Sequence, residues 1–148
     1  IFNHTQMLNA LAVVMLDVDH FKQVNDRFGH AAGDAILRQL AKRLHQNLRP
    51  TDILARYGGE EFVILLPRTA SHEAEQIVAR LWQAVSGNPF HVDNEVIPVT
   101  ISIGIAEHNE SVENIDTLMR HADEALYQAK QAGRNRWVIW KDKTGEGV

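Results

Sequence analysis

The sequence predicts an α/β fold of the α+β kind: a ferredoxin-like βαββαβ core with one additional helix and strand, its central sheet flanked by helices. Three observations predict it. Apolar runs at strand length alternate with segments of helical period in the order strand, helix, hairpin, helix, strand, helix, strand. The first run, Leu11-Ala12-Val13-Val14-Met15-Leu16, is continuously apolar, as a strand buried on both faces requires. Finally, Gly58-Gly59 sits between two strand-like runs, a pattern that reads as the tip of a hairpin whose glycines take positive φ.

The elements follow in order. The first strand ends at Asp17-Val18-Asp19, and a short helix runs from about Phe21 to Arg27, closed by Gly29. A longer helix is expected from Gly33-Asp34 to about Asn47, with Ile36, Leu37, Leu40, Ala41, Leu44 and Leu48 inward and Pro50 as its stop. Ile53-Leu54-Ala55 and Phe62-Val63-Ile64-Leu65-Leu66 form the hairpin, which ends at Pro67. Ser71 is placed to cap a helix to about Val85, with Glu73 and Glu75 in its first turn, and Gly87-Asn88-Pro89 breaks it. Val96 to Ala106 carries a further strand. The last helix spans about Ile115 to Ala132 with Gly133 as C-cap, and Trp137-Val138-Ile139-Trp140 is the final strand. Residues 1–140 are read as one domain and 141–148 as a flexible tail.

Composition narrows the function. The 148 residues are 45% hydrophobic and 23% charged, the balance of a globular domain able to bury a substantial core. A net charge of −4 argues against a nucleic-acid partner. The chain has no cysteine, hence no disulfide and no thiolate chemistry, and it shows neither a membrane span nor a signal peptide; a cytoplasmic domain is expected, whose parent protein is free to be membrane-anchored. The opening Ile1-Phe2-Asn3 reads as the interior of a longer protein with its own sensory or membrane module.

The chemistry lies in the acids. In a βαββαβ sheet the first strand neighbours the strand leaving the hairpin, so Asp17 is expected near Glu60 and Glu61. Clustered carboxylates repel unless a cation sits among them, and hard oxygen donors without cysteine or paired histidine favour Mg²⁺ or Mn²⁺ over zinc. Taken alone, the same acids also fit a solvated turn, and Asp19 a helix cap.

Asp17-Val18-Asp19-His20-Phe21-Lys22, Asn25-Asp26, Gly29-His30, Gly33-Asp34, Gly58-Gly59-Glu60-Glu61-Phe62, Ala125-Leu126-Tyr127-Gln128-Ala129-Lys130 and Gly133-Arg134-Asn135 together resemble the GGDEF family of diguanylate cyclases, from about Leu11 to Trp140. The resemblance implies a fold similar to the class III nucleotidyl cyclases and the polymerase palm. It also implies condensation of two GTP into cyclic di-GMP with release of two pyrophosphates, across a homodimer of facing domains. By resemblance, Asp17, the Val18 carbonyl, Glu60 and Glu61 hold two Mg²⁺ ions per site, and Glu60 is the catalytic proton acceptor. The amides of His20, Phe21 and Lys22 cradle phosphates at a helix N-terminus, with Lys22, Lys130 and Arg134 adding positive charge. Lys130 and Arg134, four apart, are expected on one side of the last helix. Asn25 and Asp34 match the guanine-reading pair, an ionised Asp being a double acceptor for guanine N1–H and N2–H₂, and His30 matches a further substrate position. Arg49-Pro50-Thr51-Asp52, separated from Gly58 by five intervening residues, resembles an RxxD inhibitory site for the product, with Arg80 as its second arginine. The competing reading of Arg49 and Asp52 is an exposed ion pair of little energetic worth. The family's usual Asp-x-Leu-Thr-Gly-Leu-x-Asn-Arg segment ahead of the first strand is not in this sequence. A receptor that only binds cyclic di-GMP, and a GTP-binding module silent in catalysis, are the other functional classes these residues allow.

Overall fold

Alternating burial along the first strand organises the whole molecule. In the computed structural model, which describes residues 10–108 and 114–142, β1 (Leu11–Val18) sends Ala12, Val14, Leu16 and Val18 to one face and Val13 and Met15 to the other. Both faces are covered, so the run is apolar throughout. It is followed by α1 (Phe21–Phe28), α2 (His30–Gln46), β2 (Ile53–Arg56), β3 (Glu61–Pro67), α3 (Ser71–Ser86), β4 (Phe90–Val92), β5 (Glu95–Ile97), β6 (Ile101–Glu107), α4 (Ile115–Gln131) and β7 (Arg136–Ile139). The five-stranded sheet has the order β2-β3-β1-β6-β7. All its pairs are antiparallel except β6 with β7. Four of these strands make the expected ferredoxin-like core, and α4 with β7 is the extra unit.

The larger core joins Leu16, Ile64, Ile103 and Ile105 to the apolar stripes of α2 and α3. The smaller lies on the opposite face, where Val13, Met15, Val63 and Ala106 meet Leu118, Ala122 and Leu126 of α4. The α4 backbone rides directly on β6: a Cβ added at Gly104 would lie 2.1 Å from the Ala122 carbonyl oxygen, so only glycine fits there.

Several local expectations change. Helix α2 begins at His30, three residues before the expected start, because Gly29 at φ 93 supplies the break and Gly33 lies inside the helix, its N–H bonded to the Gly29 carbonyl. Ser71 does not cap α3; the Glu107 carboxylate accepts from the Ser71 N–H at 2.8 Å and takes that role from another strand. The run from Val96 is interrupted, its first residues pairing with β4 in a separate two-stranded ribbon. Helix α4 stops at Gln131 with Ala132 as C-cap. Among the described residues the glycines with positive φ are Gly29 and Gly133, so Gly58 and Gly59 turn the hairpin without one. Of the expected tail 141–148, residues 143–148 lie outside the described residues. No described helix is long and apolar enough to cross a membrane.

Candidate active site

Strand pairing brings the acids together. Asp17 stands opposite Glu61 of β3 and opposite Ser102 of β6, at the end of β1. The Val18 N–H donates to the Glu60 carbonyl at 3.3 Å, which ties the hairpin tip to the same strand end. The Arg56 Nε donates to the Gly58 and Gly59 carbonyls, holding the loop back on itself. A Cβ placed on either glycine would meet nothing within 4 Å, so these glycines keep the space beside the acids clear.

Asp17 is buried, only 7% exposed. One of its oxygens accepts from Lys130 Nζ at 2.5 Å, and the other, Oδ1, is enclosed without a partner. Burial pushes its carboxyl above the ordinary range, opposed by the hydrogen bond and charge of Lys130 and reinforced by Glu60 and Asp19. Glu61 is raised too, first by burial and then by Asp17, with Lys130 pulling down and Asp123 and Glu60 pushing up. The site is short of positive charge. Among the described residues, however, no three acids or histidines converge into a ready-made chelate. Lys130 holds the place of a cation on Asp17.

Several of the residues expected to face a substrate lie on or beside α1. His20 at φ 57 begins the helix without any side-chain cap, which leaves the first-turn amides to an outside acceptor. The Phe21 ring is buried, so that residue offers a ligand its amide, whereas Lys22, His30 and Asp34 are exposed. Asn25 packs into the notch left by Gly33, where a Cβ would come 1.8 Å from its Oδ1, and that oxygen is buried and unpartnered. Asn25 thus meets α2 at Gly33, the residue before the exposed Asp34.

Arg134 departs from expectation. It lies beyond α4, in a turn where Gly133, Arg134 and Asn135 have φ of 121, 65 and 51, so it does not share a helix face with Lys130. Asp19 does not cap α1 either. Its carboxylate accepts from Thr100 Oγ1 at 2.7 Å, Ser102 Oγ at 2.6 Å and the Asn135 N–H at 3.0 Å.

Arg49 and Asp52 form a closed fastener rather than an exposed pair. The Asp52 side chain is fully buried and accepts from the Arg49 backbone, Nε and an outer nitrogen at 2.8–3.1 Å, and that outer nitrogen also reaches Thr69 Oγ1 at 2.6 Å. Arg80 is exposed on α3. Sequence reading missed Asp116, Arg120 and Asp123 of α4, which with Met15, Tyr57, Glu61 and Met119 line an open cleft of about 400 Å³. Their spacing of four and three on one helix face was the available signal.

The described domain profile "Diguanylate cyclase, GGDEF domain" matches residues 2–136. The chain belongs to the GGDEF family. It is 47% identical over 131 residues to the diguanylate cyclase DgcP of Pseudomonas aeruginosa, a match covering 87% of this chain and 19% of DgcP. The active GGEEF domain of a diguanylate cyclase from Vibrio cholerae superposes with a TM-score of 0.85 at 32% identity, over 94% of this chain and 88% of that one. The GGDEF domain of DgcB from Caulobacter crescentus, solved in complex with c-di-GMP, gives 0.84 at 34% identity, over 90% and 79%. The chain spans well under half the length of the curated relatives it matches.

GGDEF cyclases use a divalent metal, and the donors here fit one. The set is all oxygen, Asp17 Oδ1 is an orphaned buried acceptor, and Asp17 and Glu61 are both raised, chiefly by burial, with neighbouring carboxylates adding to it.

Proposed function

We propose that this GGDEF domain condenses two GTP molecules into cyclic di-GMP, releasing two pyrophosphates, as one half of a facing homodimer. The observation that carries the reading is the register of β1 on β3, which sets Asp17 against Glu61 beside the open Gly58-Gly59 tip. DgcP carries the name of this activity, and the DgcB domain binds c-di-GMP. Two Mg²⁺ or Mn²⁺ ions would be held by Asp17, the Val18 carbonyl, Glu60 and Glu61, supplying positive charge that acidifies the attacking hydroxyl and offsets the charge of the leaving group.

The chain's own groups do the rest. The 3′-oxygen of one GTP attacks the α-phosphorus of the other, the bond to pyrophosphate breaks, and Glu60 takes the hydroxyl proton. The first-turn amides of α1 hold the terminal phosphates, because a helix N-terminus presents free N–H groups and partial positive charge. Lys130 leaves Asp17 for the triphosphate when the carboxylate is otherwise neutralised, and Arg134 and Lys22 add charge there. Asn25 and Asp34 read the guanine edge, with His30 at the rim; a site that leaves such an acid unpaired rejects adenine. Two identical bonds must form between two nucleotides, so two domains face each other, each contributing one GTP. Cyclic di-GMP, returning to Arg49, Asp52 and Arg80, limits its own synthesis.

The test is product analysis by chromatography after incubation with GTP and Mg²⁺ over a range of protein concentrations. Cyclic di-GMP whose specific rate rises with concentration is the expected result. A folded protein that makes none at any concentration refutes the reading.

A further inference from the structure

The Gly133-Arg134-Asn135 turn is held in a left-handed backbone conformation that Gly133 and Asn135 tolerate but Arg134 does not favour. Arg134 and Asn135 both have positive φ, at 65 and 51, and neither is glycine. Such a turn persists only where its surroundings over-determine it. The surroundings are specific. The Arg134 N–H reaches back to the Ala129 carbonyl at 2.9 Å, closing the end of α4. The Asn135 N–H donates to Asp19 Oδ2 at 3.0 Å. The Asn135 side-chain oxygen accepts from Trp82 Nε1 at 3.0 Å and from Ser86 Oγ at 3.1 Å, both on α3.

Asp19 anchors the other end. It is 6% exposed, and its backbone N–H bonds the Thr100 carbonyl at 2.9 Å. Its two carboxylate oxygens share three donors, from Thr100, Ser102 and Asn135, and among the described residues no Lys, Arg or His pairs with it. It immediately precedes His20, the left-handed residue that starts α1. One carboxylate therefore fixes the α1 N-terminus and the Arg134 turn relative to each other. Nothing in the chemistry of the reaction uses it directly. An isolated buried carboxylate is costly to keep unless its hydrogen bonds are needed where they are.

We infer that Asp19 and Asn135 are positioning residues. Together they hold Arg134 in register with the α1 amides for a nucleoside triphosphate, and through Trp82 and Ser86 they make that register depend on α3, the helix that also carries Arg80. The inference rests on the GTP-condensing reading above. Asp19 grips the turn from the strand side and α3 grips it from the helix side, so a shift of α3 moves Arg134 without touching the acids that do the chemistry.

The test cuts the α3 grip and leaves the fold alone. Asn135→Gly keeps the backbone N–H for Asp19 and tolerates positive φ, but removes the acceptor for Trp82 and Ser86. Trp82→Phe removes only the indole donor and keeps a ring against Trp137, which Trp82 meets edge-on at 5.9 Å. Each variant is expected to raise the KM for GTP by roughly fivefold with kcat changed less than about twofold, because a ground-state phosphate contact is loosened. The decisive comparison is the same substitution in an Arg134→Ala background. If Asn135 acts through Arg134, the effect on KM vanishes there. An equal effect in both backgrounds overturns the inference, as does an unchanged KM in both variants. GTP affinity by calorimetry, run on the same proteins, keeps the two readings apart. A wild-type chain that binds GTP but makes no cyclic di-GMP fails the function proposed above, while the coupling is still read from affinity. A wild-type chain that binds no GTP overturns the inference as well.

Discussion

Replacing Gly33 with alanine separates the part of the site proposed to read the base from the part that holds the fold. The new methyl would lie 1.8 Å from Asn25 Oδ1 and 3.1 Å from Phe21 Cζ, so the Asn25 amide must leave its notch. Gly33 sits inside α2 and its φ lies outside the left-handed region, so alanine gains about 1 kcal/mol of helix propensity. Against this stand about 0.5–1.5 kcal/mol for driving Asn25 to a poorer rotamer and a similar crowding of Phe21. The net change is a destabilisation of about 0–2 kcal/mol, a fall of roughly 8 °C or less in Tm for a chain of this size. If Asn25 contacts guanine as proposed, its displacement removes one hydrogen bond from the bound nucleotide, and the KM for GTP is expected to rise roughly five- to tenfold. Thermal unfolding and steady-state kinetics on the same preparation check both halves. A folded variant with unchanged KM refutes the assignment of Asn25, and a fall in Tm beyond about 10 °C refutes the claim that the notch is only side-chain deep.

Glu60→Gln removes the proton acceptor while keeping the side chain's shape, and turnover measured from product formation should fall at least ~100-fold, on the order of 3 kcal/mol; unchanged turnover removes Glu60 from the chemistry. Asp17 and Glu61 both titrate above their ordinary values, so the fold favours their protonated forms. Their contribution to stability is fully present below the ordinary carboxylate range and is lost as pH rises through the raised values. Unfolding of the metal-free protein should therefore show Tm declining from mildly acidic conditions toward neutrality. Added Mg²⁺ should raise Tm by a few degrees near neutral pH and by progressively less as the acids protonate, with the gain absent in Asp17→Asn; a gain independent of pH would place the cation elsewhere.

The strands and their partners were legible because burial on two faces writes itself into sequence as an uninterrupted apolar run, as in Leu11–Leu16. That same topology put Asp17 beside Glu61 before any coordinates. What failed were features fixed by distant partners. Gly33 looked like a helix start, but it is a glycine so that Asn25 can pack on it. The α3 start is capped by Glu107, 36 residues away, and not by the adjacent Ser71. Arg134 follows Lys130 at helical spacing, yet Gly133 at φ 121 has already ended the helix. The β4–β5 ribbon carried a usable signal that went unread: Asp93-Asn94 between two β-rich triplets, with Asp93 at φ 53. Lys130 on Asp17, 113 residues apart, was foreseen only as a phosphate ligand through the family resemblance, and the Asp19 network was not foreseen at all.

The RxxD segment carries two demands at once, and two substitutions separate them. Asp52 is buried with Arg49 as its cationic partner, and that bonding, chiefly the side-chain hydrogen bond, also raises the guanidinium's pKa. Arg49→Ala would leave that carboxylate only the residue-49 backbone N–H, at 2.8 Å, of the donors Arg49 now supplies. Breaking a buried pair from one side costs about 3 kcal/mol, or on the order of 10 °C in Tm at this chain length. Arg80 is exposed, and Arg80→Ala should leave stability within about 0.5 kcal/mol. If cyclic di-GMP inhibits through this surface, both variants lose inhibition in a product-titrated assay, but only Arg49→Ala loses stability. An Arg80→Ala protein that is inhibited as strongly as wild type removes that arginine from the site. Loss of inhibition confined to Arg49→Ala would then be read as damage to the junction of β3 and α3, which Arg49 also holds through Pro67 and Thr69.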